Sequence, residues 1–216
     1  LQYAKALTAL EKKEDVGILF SGTVEQVLLS QALASVEKSS QEQRERLLFL
    51  GASSVKQAVA LATELNHERC VITLGTCSYA KTEDAFFAAL ALGGKILSEN
   101  HPMLNLNGLS LPLLEGMTKA LTEQEVQSAL ASGVTPLELA GEAVQCVRGV
   151  TTRTKTGDVK DYTFRSVNTT LVVDDVLTAV REGLKARLRG ANLVATSLDS
   201  IASQVMVELS EKREAG

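Results

Sequence analysis

Short uninterrupted apolar runs alternate with stretches of helical periodicity through the first hundred positions. Residues 16–20 (Val-Gly-Ile-Leu-Phe), 47–50 (Leu-Leu-Phe-Leu) and 70–74 (Cys-Val-Ile-Thr-Leu) are followed by turns at Ser21-Gly22, Gly51 and Gly75. Runs this short, with no polar alternation, predict strands buried on both faces. Around them the spacing changes to three and four. Val24, Val27, Leu28, Ala32 and Val36 mark a helix over 23–38, and Val55, Val59, Ala62 and Leu65 one over 54–65. Leu7 and Leu10 mark a short amphipathic helix over 2–14. Another is predicted over 82–97, with Thr82 or Glu83 near its start and Gly93-Gly94 close to its end. Residues 39–46 read as a polar loop or frayed helix end. This order predicts an α/β fold, a parallel-rich sheet with helices on both faces.

The rhythm breaks over 98–115, which holds Asn100, Pro102, Asn105, Asn107, Gly108 and Pro112. Such a run predicts an irregular connection and a border, dividing the chain into an α/β domain over 1–115 and a smaller α+β domain over 116–216. Thr122 and Glu125 form a capping-box pattern opening a helix that runs to Ser132 and stops at Gly133. Residues 134–139 and 143–150 read as paired strands. A polar, Thr-rich stretch over 151–161 then leads into a long helix over 167–189. Val173, Val176, Leu177, Val180, Leu184 and Leu188 trace its apolar stripe. Gly190 is expected to end it. Thr196 or Ser197 is expected to start a last helix carrying Leu198, Ile201, Val205 and Leu209 before a charged tail. No internal repeat is evident.

Composition changes this picture in three places. Aromatics are 4% of residues and Trp is absent, so Ala, Leu and Val must fill the core. The net charge of −4 speaks against a general nucleic-acid binder. That charge is unevenly spread: residues 146–190 hold nine Lys/Arg against five Asp/Glu, and the remainder holds 13 against 21. An acidic body with a basic end suits a copy of itself or an acidic neighbour. Cys70, Cys77 and Cys146 stand far apart without CxxC spacing, which predicts free thiols. No apolar run approaches the ~18 residues of a membrane span, so no membrane insertion is expected. No signal peptide opens the sequence. It begins at Leu1 and not Met, and is expected to be a fragment or a processed form.

Enzymatic patterns are weak, and no catalytic, cofactor-binding or metal-ligating residue is assigned. Single glycines follow the strands, without the clustering that lets backbone N–H groups cradle a phosphate. His67 reads as a solvent-facing turn residue, and His101 precedes Pro102 in the irregular stretch. There is no GxSxG elbow. Asp174 and Asp175 are adjacent on a helix and point ~100° apart, so they do not converge as an acid/base pair. They read as carboxylates opposing the positive end of the helix dipole. The best candidate for specific binding is the basic row Arg181, Lys185 and Arg189, with Arg187 beside it. Its plainer reading is a solvated helix face. A ligand-binding α/β domain is an alternative, using a crevice near Ser21, residues 52–54 and Thr76.

The stretch Val147-Arg-Gly-Val-Thr-Thr-Arg153, followed by the long helix from Thr170 through Val172-Val-Asp-Asp-Val176 to Leu188, resembles the C-terminal part of phage tail sheath proteins. Leu121-Thr-Glu-Gln-Glu-Val126 with Gly133-Val-Thr-Pro-Leu-Glu138 is similar to another segment of that family. The likeness is strong over 121–188 and lies at the level of pattern before that, where the β-α units look like the family's subtilisin-like domain without protease chemistry. The resemblance implies a structural subunit, not an enzyme and without cofactor. Such a subunit polymerises helically around an inner tail tube and contracts to drive it through an envelope. The implied partners are its own copies, the tube protein, and baseplate and tail terminator proteins. The implied location is the virion tail, assembled in the bacterial cytoplasm. A baseplate or sheath-initiator protein of the same fold is the alternative. Family members carry further sequence before the α/β unit and a β-rich extension after the last helix, both expected to be missing here. They link through terminal arms that add strands to neighbouring sheets. The basic residues Arg181, Lys185, Arg187 and Arg189 are expected to contact an acidic tube or a neighbouring subunit.

Overall fold

A computed structural model describes residues 2–99, 101–189 and 198–215, the side chain of Ala215 excepted. In chain order the elements are α1 (Gln2–Glu11), β1 (Ile18–Ser21), α2 (Gln26–Gln41), β2 (Leu47–Ala52), α3 (Val55–Leu65), β3 (Cys70–Leu74), β4 (Cys77–Tyr79), β5 (Thr82–Asp84) and α4 (Phe86–Glu99). There follow β6 (Leu109–Ser110), β7 (Gly116–Met117), α5 (Glu123–Ala131), β8 (Thr135–Ala140), β9 (Ala143–Cys146), β10 (Lys155–Thr156), β11 (Val159–Lys160), α6 (Val167–Leu188) and α7 (Leu198–Ala215). The chain forms two compact units, Leu1–Thr170 and Leu171–Gly216.

The first unit is built on a six-stranded sheet ordered β1-β2-β3-β8-β9-β6. The β1, β2, β3 and β8 strands run parallel, and β9 and β6 complete it antiparallel. Every residue of β2 and β3 is buried, as their unbroken apolar runs require. Alternate residues go to opposite faces. Leu48, Leu50, Cys70, Ile72 and Leu74 meet Leu29, Ala32, Val36, Ala58 and Ala62, so α2 and α3 cover one face, with α1 and α5 joining the same cluster. The other face receives α4, whose small buried residues Ala88, Ala89 and Gly93 let it lie close. Its Gly93 sits where a Cβ would fall 2.6 Å from the Phe20 ring. The glycine pair lies within the helix, close to its end at Glu99.

Three expectations need correction. Residues 82–84 form β5, hairpin-paired with β4, and the helix begins at Phe86. The turn between them uses Ala80 and Lys81 at positive φ, 51° and 64°, with no glycine to announce it. Leu109 and Ser110, inside the irregular stretch, pair with β9 at the sheet edge. The border expected at 115/116 falls within the first compact unit, because β8 returns to pair with β3 at Thr73↔Thr135 and Leu74↔Pro136. The capping box is present: Thr122 Oγ1 accepts from the Glu125 N–H (3.2 Å) and Glu125 Oε2 accepts from the Thr122 N–H (2.8 Å). The expected stop at Gly190 and start at Thr196 or Ser197 lie outside the described residues.

Gly51 is the tightest point of the fold. A Cβ there would stand 1.9 Å from the backbone oxygen of Ala85, at the entry to α4. Backbone cannot yield as a flexible side chain does. Gly51→Ala should therefore destabilise the first unit by about 1–3 kcal/mol or more, the range for overpacking. Chemical denaturation would check this, as a lowered midpoint at unchanged slope.

Candidate protein-interaction surface

At the amino end of β3, residues 66–70 are bound to residues 151–155 by side chains standing in for a strand ladder. Asn66 caps α3 in the left-handed region, φ 33°. Its Oδ1 accepts from the Thr154 N–H (3.0 Å) and its Nδ2 donates to the Lys155 carbonyl (2.9 Å). Thr152 Oγ1 accepts from the His67 N–H (2.9 Å) and donates to the His67 carbonyl (3.0 Å), while the Thr152 N–H donates to the Cys70 carbonyl (2.9 Å). Arg153 reaches Glu68 at 3.0 Å and Asp161 at 3.6 Å. The first turn of α6 is fixed alongside: Thr170 Oγ1 donates to the Glu68 carbonyl, and Asn168 Nδ2 to those of Pro102 and Leu104. The Thr-rich motif is thus a clasp.

From this clasp projects the β10–β11 hairpin. Gly157 at φ +58° supplies the first central position of its two-residue turn, where a left-handed residue matches strand twist. All of residues 155–160 are exposed, Val159 at 72%. The hairpin base is held by Asp161, which accepts from Thr156 Oγ1 (2.5 Å) and the Thr163 N–H (2.9 Å). The Thr156 bond first, then those from Thr163, with Arg153 adding its charge, hold the Asp161 carboxyl down at about 2.

The predicted basic row lies on α6 in the second unit. Lys185, Arg187 and Arg189 are exposed and Arg181 is half-buried. Arg189 lies just past the last helical residue, Leu188. The Arg187 guanidinium donates to Gln204 Oε1 (3.2 Å) and Ser200 Oγ (3.3 Å) on α7, so it helps hold the helix pair. Asp175 pairs with Lys212 at 2.6 Å. The helix starts at Val167, so the Asp174–Asp175 pair sits two turns in and not at the dipole's positive end, as expected from sequence. The α6 stripe is only half-covered. No described residue of this unit is fully buried, and Leu177, Leu198, Met206, Val207 and Leu209 are exposed.

The crevice at the carboxyl ends of β1–β3 is real, a cleft of about 360 Å³ whose lining includes Ser21, Ser53, Thr76, Glu83 and Asp84. Several of its polar groups are committed to local turns. Ser21 Oγ donates to the Thr23 carbonyl (2.9 Å), and Asp84 Oδ1 accepts from the Phe86 N–H (2.8 Å). Ser54 lies outside this lining and caps α3. His67 is not solvent-facing: its Nε2 lies 2.7 Å from Glu37 Oε1 and its Nδ1 accepts from the Arg69 N–H (3.0 Å). Exposed His101 accepts from the Met103 N–H through Nδ1 (3.2 Å). The three cysteines are free and buried. Burial pushes the Cys70 and Cys146 thiols up to about 12. Among the described residues no three His, Cys, Asp or Glu gather as metal ligands, and no helix is long and apolar enough to cross a membrane.

No protein-family model and no curated protein matches this sequence. Solved structures do match. The sheath tail protein from Desulfitobacterium hafniense is similar over 99% of this chain and 49% of its own, with TM-score 0.79 and 12% identity. The sheath tail protein from Listeria innocua is similar over the same shares, with TM-score 0.78 and 15% identity. The contracted helical sheath of the anti-feeding prophage is similar over 99% of this chain and 59% of its own, with TM-score 0.67 and 10% identity. This chain therefore has the fold of sheath tail proteins, and spans about half the length of the first two.

The depressed Asp161 carboxyl makes a pH prediction. A carboxyl lower in the folded than the unfolded chain stabilises above its unfolded value, ordinarily near 3.9, and that contribution fades as pH falls toward about 2. Carboxyl NMR should place the Asp161 midpoint near 2. Asp161→Asn should shrink the acid-dependent loss of hairpin order. A midpoint near 3.9 would contradict the clasp geometry.

Proposed function

We propose that this chain is a structural, non-catalytic part of a contractile tail sheath subunit. Copies assemble helically around an inner tube, and the assembly shortens to drive that tube through an envelope. The observation that carries this is the fold shared with sheath tail proteins over 99% of the chain. The clasp supports it from within: polar bonds spent on rigidity suit a body that transmits force. The cleft supports a catalytic role less well, because Ser21 and Asp84 are already used by the backbone.

Contraction in such an assembly is rigid-body rearrangement of subunits, and heterologous contacts that do not close generate the filament. The basic end of α6 is one contact we assign to this work. Lys185, Arg187 and Arg189 are its exposed cations, with Arg181 half-buried beside them and Arg187 also bonded to α7. Exposed ion pairs contribute about 0–1 kcal/mol each, which suits a contact repeated many times that must still release. Its partner is an acidic surface of the tube or a neighbouring subunit. Baseplate and tail terminator proteins are further partners on this reading, and the virion tail, assembled in the bacterial cytoplasm, its place.

Electron microscopy of the protein with its native termini, expressed with its tube protein, tests the reading. Long hollow cylinders are expected. Monodisperse monomers under all assembly conditions would contradict it, and short capped rings would favour a baseplate protein. Charge reversal at the exposed Lys185 and Arg189 should leave the fold intact, weaken tube-bound assembly and flatten its salt dependence. Unchanged assembly and salt sensitivity would remove the basic helix from the contact.

A further inference from the structure

The first unit presents two surfaces of opposite chemistry at opposite ends of one sheet. At the amino end of β3 stands the clasped hairpin. At the carboxyl ends of β1, β2 and β3 lies the cleft, its rim carrying Glu83, Asp84 and the exposed Val24.

The hairpin carries a feature that its own folding does not explain. Lys155 and Lys160 are direct cross-strand partners. Both are exposed, and like charges opposite one another destabilise a strand pair. The neighbouring pair is Thr156↔Val159, with Val159 exposed. Exposed Tyr162, 5.3 Å from the Arg165 guanidinium, adds an aromatic face beside it. Two repelling lysines on one face and an exposed valine on the other, on a hairpin held rigid from below, gain from a cleft lined by both carboxylates and apolar groups. The cleft offers that combination: carboxylates at Glu83 and Asp84, and Val24 and Phe86 in the lining.

We propose that the β10–β11 hairpin of one copy seats in the cleft of the next, Lys155 and Lys160 facing Glu83 and Asp84 and Val159 packing toward Val24. This rests on the sheath reading and names one contact within it. The two patches differ and lie at opposite ends of the sheet, so the contact is heterologous and can propagate from copy to copy. The hairpin is pre-ordered by Asn66 and Arg153, so little conformational freedom is lost on docking. Asp158 at the tip keeps its net charge small, so specificity comes from the lysine pair.

The test uses the protein with its native termini, and reads sedimentable polymer against thermal stability. Lys155→Gln with Lys160→Gln relieves the repulsion inside the hairpin. It should leave the unfolding midpoint equal or higher while polymer falls about tenfold, the loss of one of many repeated contacts. Lys160→Glu alone should lower polymer similarly, and Glu83→Lys added to it should restore most of the loss. Glu83 suits the swap because Asp84, and not Glu83, accepts from the Phe86 N–H at the start of α4. Polymer unchanged in the glutamine variant, or no recovery in the swapped pair, would overturn this contact and leave the sheath reading standing. Absence of polymer from the unsubstituted protein would overturn both.

Discussion

The clasp between Asn66 and Thr152 is the constraint on which the rest of the first unit depends. Parallel strands leave their amino ends open, since no hairpin closes them. Here that end is closed by two polar side chains, each bonded to backbone on the opposite segment. Partly buried bonds of this kind contribute about 1 kcal/mol each, and more is lost when one partner is removed. Arg153, Glu68, Asp161 and Thr170 extend the clasp outward to the hairpin and to the start of α6. Backbone far apart in sequence is thereby held as one body ending at Thr170.

On the proposed function, rigidity and weak surface contacts fit together. Small residues, Ala58, Ala62, Ala88 and Ala89 among them, stand between the leucines of the core and let helices lie close on both faces of a buried sheet. Such a core transmits strain and does not absorb it. The exposed surfaces are the reverse: lysines, an exposed valine, an exposed tyrosine and the half-covered helices of the second unit. In the proposed assembly each contact is small, and repetition supplies the strength.

The sequence makes the β2 and β3 strands legible because they are buried on both sides, which an unbroken apolar run records directly. The helices α2, α3, α5 and α6 are legible from spacing and, for α5, from Thr122 and Glu125. What stays hidden is short or relational. The β4–β7 strands are two or three residues long, with polar members such as Ser78, Thr82 and Ser110, and carry no period. The Ala80-Lys81 turn lacks the glycine that would mark it. The Pro- and Asn-rich stretch resembles a linker, yet Leu109 is pinned to Cys146 in the sheet. The basic residues of α6 are legible as a row. That Arg187 spends its guanidinium on Gln204 and Ser200 depends on where α7 lies, which no local pattern states. The clasp was visible only as a Thr-rich motif. Its meaning lies in Asn66 and His67, far upstream.

Native-state hydrogen exchange measures the clasp most directly. If it makes residues 151–155 part of the core, the amides of Thr152 and Thr154 exchange within about tenfold of those of Val71 and Ile72, through the same cooperative opening. Exchange of those threonine amides at the rate of an open loop, with the β3 amides still protected, would contradict the account.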